Sequence, residues 1–161
     1  MFERFTREAK ATVLGALDVA QRSGAEQVEP EHLLLALARG HADAAAQAID
    51  NAGIDAAAIE QAIEQDLVAA LEVVGVSAAV VAAAPIHPRA DRPGFAIATK
   101  QALEQALKEA VDRGGRRLRN EHLLLGLLNP PAVSVERLLR MLDIEPKRLA
   151  DLVQVEMAAR R

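Results

Sequence analysis

The chain contains no cysteine, tryptophan or tyrosine, and only three phenylalanines among its 161 residues. Without cysteine there is no disulfide framework and no thiolate for catalysis or metal binding, which suits a reducing compartment. Four histidines are present (His32, His41, His87, His122), but none stands in an H-E-x-x-H or H-x₃-H arrangement. No metal site is therefore expected. The three serines, Ser23, Ser77 and Ser134, lie outside any G-x-S-x-G turn, and no histidine is near them in sequence. That excludes the usual nucleophile signature. No G-x-x-x-x-G-K-[ST] stretch is present to cradle a nucleotide's phosphates. No cofactor and no enzymatic activity are expected.

Long apolar runs are missing too, and none reaches the ~18 residues that span a bilayer. The opening MFERFTREAK is charged from its third residue, unlike a secretory signal. A formal charge of -4 argues against general binding of polyanions such as nucleic acid. β-Branched clusters are confined to Val73–Val76 and Val80–Val81. What fills the chain is alanine and leucine, which lose little conformational freedom in a helix. These features predict a cytoplasmic, all-α protein, short enough for one domain over residues 1–161.

The order within that composition is a repeat. PEHLLLALA (Pro30–Ala38) returns as NEHLLLGLL (Asn120–Leu128), ninety residues on. The same offset aligns Phe5 with Phe95, Lys10 with Lys100, Gly24 with Gly114 and Ile54 with Ile144. One offset held over some fifty residues marks two copies of one structural unit.

Helical spacing of apolar residues, with caps and stops, divides each copy into four helices. In the first they run from Thr6 to about Arg22, from Pro30, from Asp43 to Ala52, and from an Asp55 cap to about Leu67. In the second they run Phe95–Arg113, Asn120–Leu128, Ser134–Leu142 and Glu145–Ala158, with Asn120 and Ser134 as N-caps. Repeat one thus spans 2–67 and repeat two 95–158. The intervening 68–94 begins with a stretch able to form a further turn or hairpin and ends as the proline-rich linker PIHPRADRPG. Two units too small for separate cores predict a single pseudo-twofold bundle.

MFERFTREAK, EPEHLLLALARG and RNEHLLLGLL together resemble the Clp N-terminal (Clp R) repeat domain that precedes the ATPase rings of ClpC- and ClpA-type unfoldases. The match covers nearly the whole chain, with 68–94 as the main departure. It is specific, because Thr6 to Glu31 and Ala96 to Glu121 are both 25 residues. Ending soon after the second copy, the sequence is expected to be this module without an ATPase, either a stand-alone protein or a piece of a longer one.

The resemblance implies a monomeric, non-catalytic module of the Clp protease system that captures substrate proteins or peptides, or adaptors, for a Clp ATPase. It also implies recognition of phosphorylated arginine. A carboxylate at one helix start would hold the guanidinium, and a hydroxyl with backbone N–H groups at another would hold the phosphate. The matching residues are Thr6 with Glu31 in the first copy and Ala96 with Glu121 in the second. Ala96 lacks the hydroxyl, and Pro30 and Asn120 replace the family's frequent threonine. One competent site, in copy one, is expected. A second family surface, which binds cyclic-peptide antibiotics, maps to Phe2, Phe95 and Lys100, two rings and an ammonium suited to a peptide.

Each of these residues also has a structural role to weigh against the functional one. Acidic residues favour helix starts by about 0.3–1 kcal/mol, and threonine is a good N-cap without any ligand. His32 and His122 read as half-buried groups bonded to backbone, and the leucine triplets read as core. The arginines of RGGRRLRN (Arg113, Arg116, Arg117, Arg119) lie in a predicted loop without neighbouring aromatics. They suit an acidic partner better than nucleic acid. A regulatory or decoy scaffold that binds a partner or nucleic acid through Arg113–Arg119 is the alternative function.

Overall fold

The computed structural model describes residues 2–40, 42–77, 79 and 92–161. Eight helices dominate them: α1 (Arg7–Arg22), α2 (Pro30–Ala38), α3 (Ala44–Asn51), α4 (Ala56–Val73), α5 (Ile97–Asp112), α6 (Asn120–Leu128), α7 (Val133–Met141) and α8 (Pro146–Ala159). The expected all-α class and the four-plus-four order are both present.

Local chemistry sets most helix ends. The Thr6, Asp43 and Asp55 side chains each accept a hydrogen bond from the backbone N–H three residues on, at 3.2, 2.9 and 2.7 Å. This satisfies one of the orphan donors of each first turn. Pro30 and Pro146 occupy first-turn positions where no N–H is needed. Gly24 and Gly114, at φ 70° and 72°, close α1 and α5 in the left-handed conformation that glycine adopts without strain.

Two expected caps are corrected. α6 is capped at Arg119, so Asn120 is its first helical residue and turns its amide toward Asp43 instead. α7 starts at Val133 with Ala132 as cap, which places Ser134 inside the helix, its hydroxyl buried without a partner. α4 continues to Val73, six residues beyond the expected end, because the run from Val68 contains no breaker before Gly75. PIHPRADRPG lies mostly outside the described residues, as do His41 and His87.

The core is built on α2 and α6. These helices are apolar almost all round, as a helix surrounded by others must be. Leu33–Leu35 and Leu123–Leu125 are at most 2% exposed, and every residue of α6 is buried. Each such leucine contributes roughly 1.5–3 kcal/mol relative to an exposed one. α1 packs on α2 as α5 packs on α6. The latter pair is so close that a Cβ on Gly126 would collide with the backbone of Ala102 and Ala106.

The copies do not form separate bundles. α3 packs on α8, and α4 on α7, so third and fourth helices are matched across the repeat boundary. The loops cross in the same way. Short strands β1 (Gln27–Val28) and β2 (Gly94–Phe95) pair in parallel with Val28 opposite Phe95. The symmetry-related bridge joins Phe5 to Leu118. The Thr6 N–H donates to Leu118 O at 2.9 Å, and the Ala96 N–H to Val28 O at 3.1 Å. Each copy's first helix is thus tied to the loop that precedes the other copy's second helix.

A composite groove at the start of α6

This crossing decides which candidate residues meet. Thr6 caps α1, and its N–H holds Leu118, three residues before Glu121. Thr6 and Glu121 therefore line one open groove of about 680 Å³, whose wall also contains Asp43, Asn120 and His122. Glu31 lines neither this groove nor a smaller one of about 240 Å³ along α1. It belongs instead to the end where Ala96 is fastened to Val28. The groove thus brings Thr6 to Glu121 rather than to Glu31, while Ala96 is bonded to the loop that precedes Glu31. Sequence offset pairs residues within a copy, but the chain's path joins them between copies.

The groove's floor is acidic and amide in character. Glu121 is only 9% exposed and has the Arg119 guanidinium at 3.8 Å. Asn120, 4% exposed, donates from Nδ2 to Asp43 Oδ2 at 2.6 Å, which orients Oδ1 without a partner. At the groove's edge, the Thr6 oxygen accepts from the Ala9 N–H at 3.2 Å, so its hydroxyl proton remains able to donate. It stands beside the first N–H groups of α1, the positive end of a sixteen-residue helix.

Both helix starts are braced by histidine. His32 Nδ1 accepts from the Glu29 N–H at 2.9 Å and His122 Nδ1 from the Arg119 N–H at 3.1 Å, the role glutamate or glutamine plays in a capping box. Accepting at Nδ1 requires neutral rings. Burial pushes both imidazoles down, His122 to about 4 with help from Arg113 and Arg119 and against Glu109. Burial beside Glu31 raises the Glu29 carboxyl.

Of the apolar candidates, Phe2 is 37% exposed and meets Phe5 edge to face, ring centroids 5.0 Å apart. Phe95 is half-buried in β2 and Lys100 is exposed in the first turn of α5. Among the described residues no ring contact or hydrogen bond joins these three. The described residues contain no metal-ligating cluster and no helix long and apolar enough to cross a membrane.

Sequence reasoning missed Asp43 and the α8 end, Arg160 and Arg161, as groove residues. Asp43 stands 77 residues from Asn120, and no local pattern links them. The arginine run was visible as a charge cluster, but its place beside Glu121 was not.

The comparisons agree with this architecture. Chaperone protein ClpC1 (chloroplastic) of Oryza sativa subsp. japonica is 31% identical over 150 residues, covering 92% of this chain and 15% of its own length. The ClpA homolog of Brassica napus, a Clp protease ATP-binding subunit, matches equally well. The chain thus spans about 15% of the length of these relatives. Among solved structures, the N-terminal domain of ClpD from Arabidopsis thaliana superposes with a TM-score of 0.75 at 22% identity, covering 98% of this chain and 97% of that one. The N-domain of ClpV from Vibrio cholerae gives 0.63 at 14% identity over 94% and 86%. A family profile matches residues 4–90 and 95–160. The chain belongs to the Clp repeat (R) N-terminal domain family.

Proposed function

We propose that this chain is a non-catalytic binding module that captures arginine-phosphorylated protein segments, and adaptors, for a Clp ATPase. The observation that carries the reading is the meeting of Thr6 and Glu121 in one groove. The Glu121 carboxylate offers acceptors to a guanidinium. The Thr6 hydroxyl and the first N–H groups of α1 offer donors to its phosphate. The exchanged site at Ala96 and Glu31 lacks the hydroxyl, so one site per chain is the reading.

Calorimetric titration with a phosphoarginine peptide and its unmodified twin tests this, since the chain has no tryptophan or tyrosine to report binding. Selective binding with a stoichiometry near one is expected. Glu121→Gln should lose about 1.5–3 kcal/mol of affinity, the scale of a hydrogen bond to a charged group. Glu31→Gln should bind as wild type does. The reverse order would assign the site to Ala96 and Glu31, and equal binding of both peptides would remove phosphoarginine as the ligand.

A further inference from the structure

The groove beside Thr6 and Glu121 is more basic than an arginine-phosphate pocket requires. Six arginines line it: Arg113, Arg116, Arg117 and Arg119 from the α5–α6 loop, and Arg160 and Arg161 from the end of α8. Three carboxylates, Glu8, Asp43 and Glu121, oppose them. The groove is cationic within a chain whose formal charge is -4.

The fold does not impose this. In the symmetry-related loop of the first copy, the four loop arginines are replaced by Ser23, Glu26, Gln27 and Glu29. Nor does internal pairing consume the charge. Arg113 pairs with Glu109 at 3.3 Å, Arg119 with Glu121 at 3.8 Å, and Arg160 donates to Ala42 O at 3.2 Å. Arg116, Arg117 and Arg161 are exposed and have no such partner among the described residues.

Six like charges held together, three of them unpaired, favour an anionic occupant. The floor limits which one. The carboxylates of Asp43 and Glu121 line its floor, Glu121 only 9% exposed, so the centre of the groove attracts a donor, not a phosphate. A nucleic-acid strand would carry its charge past Asp43 and Glu121 and would find no Phe, Tyr or Trp lining the groove on which to stack a base. A peptide can meet both demands, with one guanidinium at the centre and carboxylates on either side.

We propose that the Arg113–Arg119 loop and the Arg160–Arg161 end of α8 form a clamp for acidic residues that flank the captured arginine. The groove then selects arginine-phosphorylated segments rich in Asp and Glu. This rests on the phosphoarginine reading for the central residue, but not for the flanks. An exposed pair adds roughly twofold, so three free arginines should add roughly tenfold in affinity.

The test uses fluorescein-labelled peptides read by anisotropy: phosphorylated or unmodified arginine, each with Asp/Glu or Ser/Gly flanks. Acidic flanks should tighten phosphopeptide binding to wild type by about tenfold at low salt, and the gain should shrink as salt rises. In R116Q/R117Q the gain should fall to about twofold while the Ser/Gly phosphopeptide binds as before. These two residues are exposed in a loop, and an unchanged thermal melt confirms that the variant folds. Equal affinity for both flank types, with preference for phosphate intact, would overturn the clamp and leave the phosphoarginine reading standing. A flank gain without phosphate preference would support the clamp and overturn that reading. Displacement of the acidic peptide by a single-stranded oligonucleotide of equal charge would overturn the clamp in favour of a general polyanion surface.

Discussion

His122 makes a sharp test of how the groove's floor is held. Its Nδ1 accepts from the Arg119 N–H, which sets the start of α6 and with it Asn120 and Glu121. A proton on Nδ1 would remove that acceptor and place a cation between Arg113 and Arg119. Because the folded-state value lies near 4 and the unfolded one near 6.5, the unfolded chain binds more protons between them. The stabilisation is therefore complete above pH 6.5, is lost as pH falls toward 4, and changes no further below that. The full 2.5-unit interval would correspond to about 3.4 kcal/mol. The ring borders a solvent-filled groove, so about 2 kcal/mol is the expected loss. Urea unfolding followed by circular dichroism at 222 nm, at several pH values from 7.5 to 4, measures it. Carboxylates titrate in the lower half of that range, so the comparison is with His122→Gln. Glutamine keeps an acceptor at this capping-box position and cannot be protonated. The variant should lose about 2 kcal/mol less than wild type over the interval. Parallel stability curves would mean that His122 titrates as it would in water, refuting the role given to its hydrogen bond.

The remaining predictions concern packing, selectivity and the apolar surface. Gly126→Ala should destabilise the fold by about 1–3 kcal/mol or more, because the added methyl meets backbone atoms of α5 that cannot move aside; an unchanged urea midpoint would contradict the close approach. Glu8 lies in the first turn of α1, where the phosphate of a ligand would sit, so Glu8→Gln should tighten phosphoarginine binding by about twofold in the calorimeter. Weaker binding would place the phosphate elsewhere. Phe95→Ala should weaken binding of a hydrophobic cyclic peptide more than Glu121→Gln does, and the opposite order would remove Phe95 from that surface.

The sequence displayed the fold more fully than the site. Helix starts were legible where one residue acts alone, as Thr6, Asp55, Pro30 and Pro146 do. They were misread at Asn120 and Ser134, where preceding residues took the cap. The leucine triplets announced the core because a helix apolar on all sides has no other place to go. The ninety-residue offset revealed two copies but suggested that each copy builds its own site. The structure joins Thr6 to the other copy instead, its N–H bonding to Leu118, a residue 112 positions away. No spacing within a copy encodes such a contact, since its two partners belong to different copies.

The crossing also explains how one duplicated unit could come to hold two unlike ends. Each end combines the start of one copy's first helix with the loop and second helix of the other, so a single substitution in either copy alters only one end's chemistry. At one end Thr6 meets Glu121 beside Arg116, Arg117 and Arg119. At the other, Ala96 is tied to Val28, between Gln27 and Glu29, with Glu31 two residues further. The backbone bonds that hold the ends together are equivalent, 2.9 and 3.1 Å, so the scaffold tolerates both side-chain sets. What differs is hydroxyl against methyl and a basic loop against an acidic one. The basic loop at the first end suits an anion better than the acidic loop at the second. On the proposed reading, ligand capture at a single end needs both copies for its geometry, but only one half of the symmetry for its chemistry.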